Sequence, residues 1–78
     1  MLNLGGELVS YIIANEKIYC GLSDNRIVVL NEETLEVLPE SYETDNIVQR
    51  FLQISGRKGK KYIFCFQRKG TIQAISIE

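Results

Sequence analysis

Apolar residues in this chain fall in short runs between polar turns, and the stretch Lys17 to Leu38, KIYCGLSDNRIVVLNEETLEVL, sets the pattern. Ile18, Tyr19, Cys20 and Leu22 form a β-branched, aromatic and apolar run that predicts a strand. Ser23-Asp24-Asn25 supplies turn chemistry, because Asp and Asn tolerate a left-handed backbone and can bond their own main chain. Ile27-Val28-Val29-Leu30 has no alternation and predicts a strand covered on both faces. Asn31 to Thr34 is a second polar turn, Leu35 to Leu38 a third short strand, and Pro39, which has no N–H for a ladder, is expected to end it. Upstream, Gly5-Gly6 predicts a turn in the lead-in, Leu8 to Ile13 a strand, and Ala14-Asn15-Glu16 a tight turn. Residues 1–39 therefore read as a four-stranded antiparallel meander.

The polar stretch 40–46 reads as a linker, and 47–78 as a second, incomplete meander; together they make one structural unit. Cys65 follows Cys20 at an offset of 45, and Ile63 and Ile72 follow Ile18 and Ile27 at the same offset. Four of sixteen aligned positions are identical between 18–33 and 63–78, and Tyr19/Phe64 and Leu30/Ile75 are close substitutions. Turn chemistry agrees as well, since Gly70 stands where Asn25 stands and both accept positive φ. The second unit holds strands at Tyr62 to Phe66 and Thr71 to Ile77 and lacks a fourth.

Residues 46–55, NIVQRFLQIS, read two ways. As a helix, Ile47, Val48, Phe51 and Leu52 share a face, with Asp45 at its start and Gly56 past its end. As the first strand of the second unit, Val48, Leu52 and Ile54 face one way and Arg50 is the exception. The repeat favours the strand.

The strand followed by ANEK, IYCGLSDNRIVVLN and EETLEVL resembles one blade of a β-propeller, nearest the quinoprotein-like (PQQ-like) repeat and more weakly the WD repeat. Gly21, Asp24, Asn31, Thr34, Glu36, Val37 and Leu38 stand where that pattern carries similar residues, whereas the chain has no Trp and no His. The 45-residue offset lies close to the roughly 40–45 residues of a four-stranded blade. The resemblance implies an all-β chain of seven or eight strands, a propeller fragment of about two incomplete blades. It covers scaffolding positions only and implies no cofactor.

Charge divides the chain. Residues 1–45 carry two bases against nine acids, a net of −7, and residues 46–78 carry seven bases against one acid, a net of +6. Such poles attract either within one molecule or between copies. The basic stretch is Gly56 to Lys61, where Arg57, Lys58, Lys60 and Lys61 are candidate contacts for an anion or an acidic partner. Tyr62, Phe64 and Phe66 follow it, although their alternation with Ile63 and Cys65 gives them an ordinary core explanation. The acidic isoelectric point argues against a dedicated nucleic-acid binder.

Little catalytic chemistry is on offer. Without histidine the usual general base near neutral pH is missing, and the acids sit mostly in turns. Cys20 and Cys65 share a repeat position inside strands and read as small buried hydrophobes rather than metal ligands. Asp24, Asn25 and Gly70 are the turn-critical residues. We expect no enzymatic activity, no cofactor and no metal. The expected role is a protein-interaction or assembly module that forms a homo-oligomer or joins a larger protein partner. Binding of nucleic acid or another polyanion through 57–61 is the alternative, and a self-contained monomer of stacked sheets is the competing architecture. No apolar run is long enough for a membrane span, and two cysteines without a targeting segment suggest a cytoplasmic or otherwise intracellular setting.

Overall fold

Every segment rich in β-branched and aromatic residues becomes a strand. A computed structural model describes residues 4–77 and, for Arg57, the backbone alone. The strands are β1 (Leu8–Ala14), β2 (Lys17–Leu22), β3 (Arg26–Asn31), β4 (Val37–Glu43), β5 (Val48–Ser55), β6 (Lys61–Gln67) and β7 (Ile72–Ser76). They form two antiparallel sheets in sequence order, β1-β2-β3-β4 (sheet A) and β5-β6-β7 (sheet B). The described residues contain no α-helix, and the sheets do not close into a barrel.

Consecutive left-handed residues make the tight hairpins. Asn15 and Glu16 between β1 and β2, Lys58 and Gly59 between β5 and β6, and Lys69 and Gly70 between β6 and β7 all have positive φ. At Asn15-Glu16, where Ala14 pairs with Lys17, they make the two-residue turn whose twist matches the flanking strands, and the other two connections add a third residue, Arg57 or Arg68. Between β2 and β3, Asn25 alone is left-handed, at φ 64°.

The strand favoured at 46–55 forms over Val48–Ser55, while three local expectations are corrected: the shared face of Val48, Leu52 and Ile54, the strand at 35–38, and the linker beginning after Pro39. Residues 48–55 are a strand and not a helix; β5 pairs with β6 from Val48↔Gln67 to Ser55↔Lys61. A register shift between Val48 and Arg50 marks a bulge, and it turns both Val48 and Phe51 inward. That i, i+3 spacing imitates a helical face. It also sends Leu52 outward, so Val48, Leu52 and Ile54 do not share one face.

The strand expected at 35–38 starts and ends later. Leu35 has φ 63° and belongs to the turn, where the Asn31 side-chain oxygen accepts the N–H groups of Glu33 and Thr34. Pro39 does not end β4, which continues to Glu43, so 40–43 are strand and not linker. The proline is tolerated because β4 is an edge strand and its register with β3 shifts between Val28↔Ser41 and Leu30↔Val37. The missing N–H falls where the ladder is already interrupted.

The core lies between the sheets. Tyr19, Ile27 and Val29 from sheet A meet Val48, Phe51, Ile63, Cys65 and Ile75 from sheet B, with Ala14 and Ile77. The sheets approach most closely along their first strands, β1 against β5. There the Ser10 hydroxyl donates to the Val48 carbonyl at 2.6 Å. The Asn46 N–H donates to Oε1 of buried Gln67 at 2.9 Å, fixing the connection between sheets.

Candidate functional site

Alternation along a strand gives each sheet a second face, away from the shared core. On sheet A this outer face holds a buried cluster of Cys20, Leu22, Val28 and Leu30, with Ile18 and Leu4 packed against it. Its cross-strand neighbours are exposed: Tyr11 opposite Cys20 (62% exposed), Ile13 opposite Ile18 (50%) and Val37 opposite Leu30 (55%). On sheet B the outer face holds Leu52, Phe64 and Ala74 in one cross-strand row and Arg50, Phe66 and Ile72 in the next. Ile72 is 60% exposed and Leu52 41%. The Arg50 guanidinium lies 5.4 Å from the centre of the Phe66 ring, a cation–π contact on that face. The stack is therefore apolar inside and on both outsides. An antiparallel sheet that ends a fold usually turns a polar face to water.

The two sheets correspond strand for strand. Tyr11, Cys20 and Val28 are paired across β1, β2 and β3, as Phe51, Cys65 and Gln73 are across β5, β6 and β7. The bulge recurs too, between Leu8 and Ser10 in β1 and between Val48 and Arg50 in β5. Yet Cys65 faces into the shared core and Cys20 faces away from it. Equivalent faces of the two units thus point the same way along the stack rather than towards each other.

The expected basic contacts gather at one end. Lys58, Lys60 and Lys61 line a shallow open depression with Asn15, Gly59 and Ile77. The Asn15 amide donates to the Ile77 carbonyl at 2.9 Å and closes one side. The Arg57 side chain lies outside the described residues. Of the turn residues, Asn25 and Gly70 occupy equivalent hairpins with φ 64° and 78°, and the Asp24 carboxylate accepts from the Arg26 guanidinium.

Among the described residues both ion pairs lie within sheet A, Lys17–Glu40 at 2.6 Å and Arg26–Asp24 at 2.7 Å. The Arg26 hydrogen bond holds the Asp24 carboxyl below its usual range, and the Glu40 hydrogen bond raises Lys17. Among the described residues no ion pair joins the acidic unit to the basic one. Among the described residues Lys58, Lys60, Lys61, Arg68 and Lys69 form no ion pair, and the Arg50 guanidinium faces the Phe66 ring.

Burial pushes the Cys65 thiol up to about 11 and raises Cys20 as well, the opposite of what an attacking thiolate requires. The described residues hold no group of three His, Cys, Asp or Glu side chains that could bind a metal ion. Among them no helix is long and apolar enough to cross a membrane.

Ser10 was not singled out from the sequence, Gly21 was named only as a scaffolding position, and Arg50 and Phe51 only in reading residues 46–55, yet each matters. A Cβ on Gly21 would lie 2.9 Å from the Ser10 hydroxyl oxygen and 3.3 Å from the Phe51 ring. A glycine inside an apolar strand signals such a close approach, and Gly21 was the available clue. No protein-family model, curated protein or solved structure matches the chain.

Proposed function

We propose that this chain is a non-enzymatic interaction and assembly module, built from two propeller-like blade units, that works by having its outer sheet faces covered by itself or by a larger protein. One observation carries the reading: the two-sheet stack exposes Tyr11, Ile13 and Val37 on one outer face and Leu52 and Ile72 on the other. Exposed apolar residues gathered on the faces of a small domain favour an interaction site. Burying one large apolar side chain fully is worth about 1.5–3 kcal/mol, so covering these half-exposed residues would favour association. Light scattering across a concentration series tests it, and the expected result is a mass above that of one chain. A single-chain mass up to high micromolar concentration, with solubility unchanged by Tyr11→Glu and Ile72→Lys, overturns it.

A second reading has its own observation. The unpaired Lys58, Lys60 and Lys61 around the depression beside Asn15 suit a phosphate or another polyanion. The test is a mobility shift with a short oligonucleotide at low salt. A salt-sensitive shift abolished by Lys58→Glu with Lys60→Glu supports it, and absence of any shift at low salt removes it.

A further inference from the structure

We infer that the two outer faces are partners of one another: the Tyr11 and Ile13 edge of the Cys20 face of one copy seats on the Phe64 and Phe66 face of the next, head to tail. The inference rests on the assembly reading above and names its partner, a second copy of this chain.

The contact inside the molecule is the template. There the Cys65 face of sheet B, with Ile63 and Ile75, covers the sheet A face of Tyr19, Ile27 and Val29. The same register positions recur on the two outer faces, which are exposed at Tyr11 and Ile13 on sheet A, beside the part closed by Leu4, and at Leu52 and Ile72 on sheet B. Sheet B presents Phe64 where sheet A has Tyr19, Ile72 where it has Ile27, and Ala74 where it has Val29. Sheet A carries Ile18, Cys20 and Leu30 where sheet B has Ile63, Cys65 and Ile75; Cys20 and Leu30 are buried beside Leu4, and the exposed part of this face is the β1 edge at Tyr11 and Ile13. Two surfaces that already meet within one chain are thus repeated, in complementary form, at its two ends. Two-fold pairing of either face with itself has no such precedent in the molecule.

Charge points the same way. The unit bearing the Cys20 face carries −7 and the unit bearing the Phe64 face +6, and no ion pair joins them among the described residues. Head-to-tail seating brings opposite signs together, whereas like-to-like seating repels. One end differs from the template. Inside the chain Phe51 lies against Gly21 beside Ser10. Its counterpart Tyr11 meets Phe66 with Arg50 beside it, so an aromatic ring stacks on a ring and a guanidinium instead of entering a gap.

Two variants test this: Tyr11→Glu with Ile13→Glu breaks one face, and Leu52→Lys with Ile72→Lys breaks the other. All four side chains are exposed. Light scattering is recorded on wild type, on each variant and on their equimolar mixture, with far-UV circular dichroism confirming the fold. The expected result is association by wild type, the mass of one chain for each variant alone, and a 1:1 complex on mixing that weakens as salt rises. A variant that still associates alone as wild type does, or a mixture that stays apart while wild type associates, overturns the inference and leaves the assembly reading standing. A wild type that never associates overturns the inference, and the solubility test above then decides the reading. If the charged variants do not fold, Tyr11→Ser with Ile13→Thr and Leu52→Thr with Ile72→Thr give the same comparison.

Discussion

The Ser10 hydroxyl reaches the Val48 carbonyl at 2.6 Å and ties the first strand of one sheet to the first strand of the other. Two strands approach this closely only where side chains are small. Gly21 provides that room, with Ser10 beside it and the Phe51 ring filling what remains.

Gly21→Ala is expected to destabilise the fold. The added methyl group would stand 2.9 Å from the Ser10 oxygen and 3.3 Å from the Phe51 ring. Overpacking of this kind costs about 1–3 kcal/mol, read as a lower urea midpoint with an unchanged slope.

Stability is expected to fall in mild alkali. Burial raises the Cys65 thiol from 9.0 to about 11. Between those values the folded state holds a proton that the unfolded state has lost, so unfolding becomes easier as pH rises. The contribution is complete below about pH 9 and lost as pH passes about 11. Burial also raises Tyr19, which acts in the same direction. Urea midpoints measured across this window for wild type and Cys65→Ala isolate the thiol, and the variant is expected to show the shallower decline.

Lys69→Asn is expected to stabilise. Lys69 sits at φ 69° ahead of Gly70, in a hairpin position that Asn accepts more readily. Relief of the left-handed penalty is worth about 0.5–1 kcal/mol, read as a rise in melting temperature.

The strands of the first unit were legible because their turns are chemically explicit. Asn15-Glu16, Asp24-Asn25 and Asn31 to Thr34 each fall between apolar runs. The all-β class and the two meanders followed from the same pattern. What misled was local geometry that breaks a simple period. The bulge in β5 placed Val48 and Phe51 on one side at helical spacing, and the shifted register of β4 made room for a proline inside a strand. Interior and exterior were less legible still. Tyr19 and Phe64, or Ile27 and Ile72, are equivalent positions of similar chemistry, yet one of each pair is buried and the other lies on an outer face. Hydrophobicity identifies residues that need cover without saying whether this chain supplies it.

The like orientation of the two cysteine faces has a geometric consequence. Sheet B relates to sheet A by a directional step, and such a step, taken from copy to copy, either closes a circle or runs on as a fibre. If copies seat head to tail as proposed, the dihedral between the two sheets of one chain governs how many chains complete a turn. In the head-to-tail assembly proposed above, a change at Gly21, deep inside a single copy, would alter the number of members.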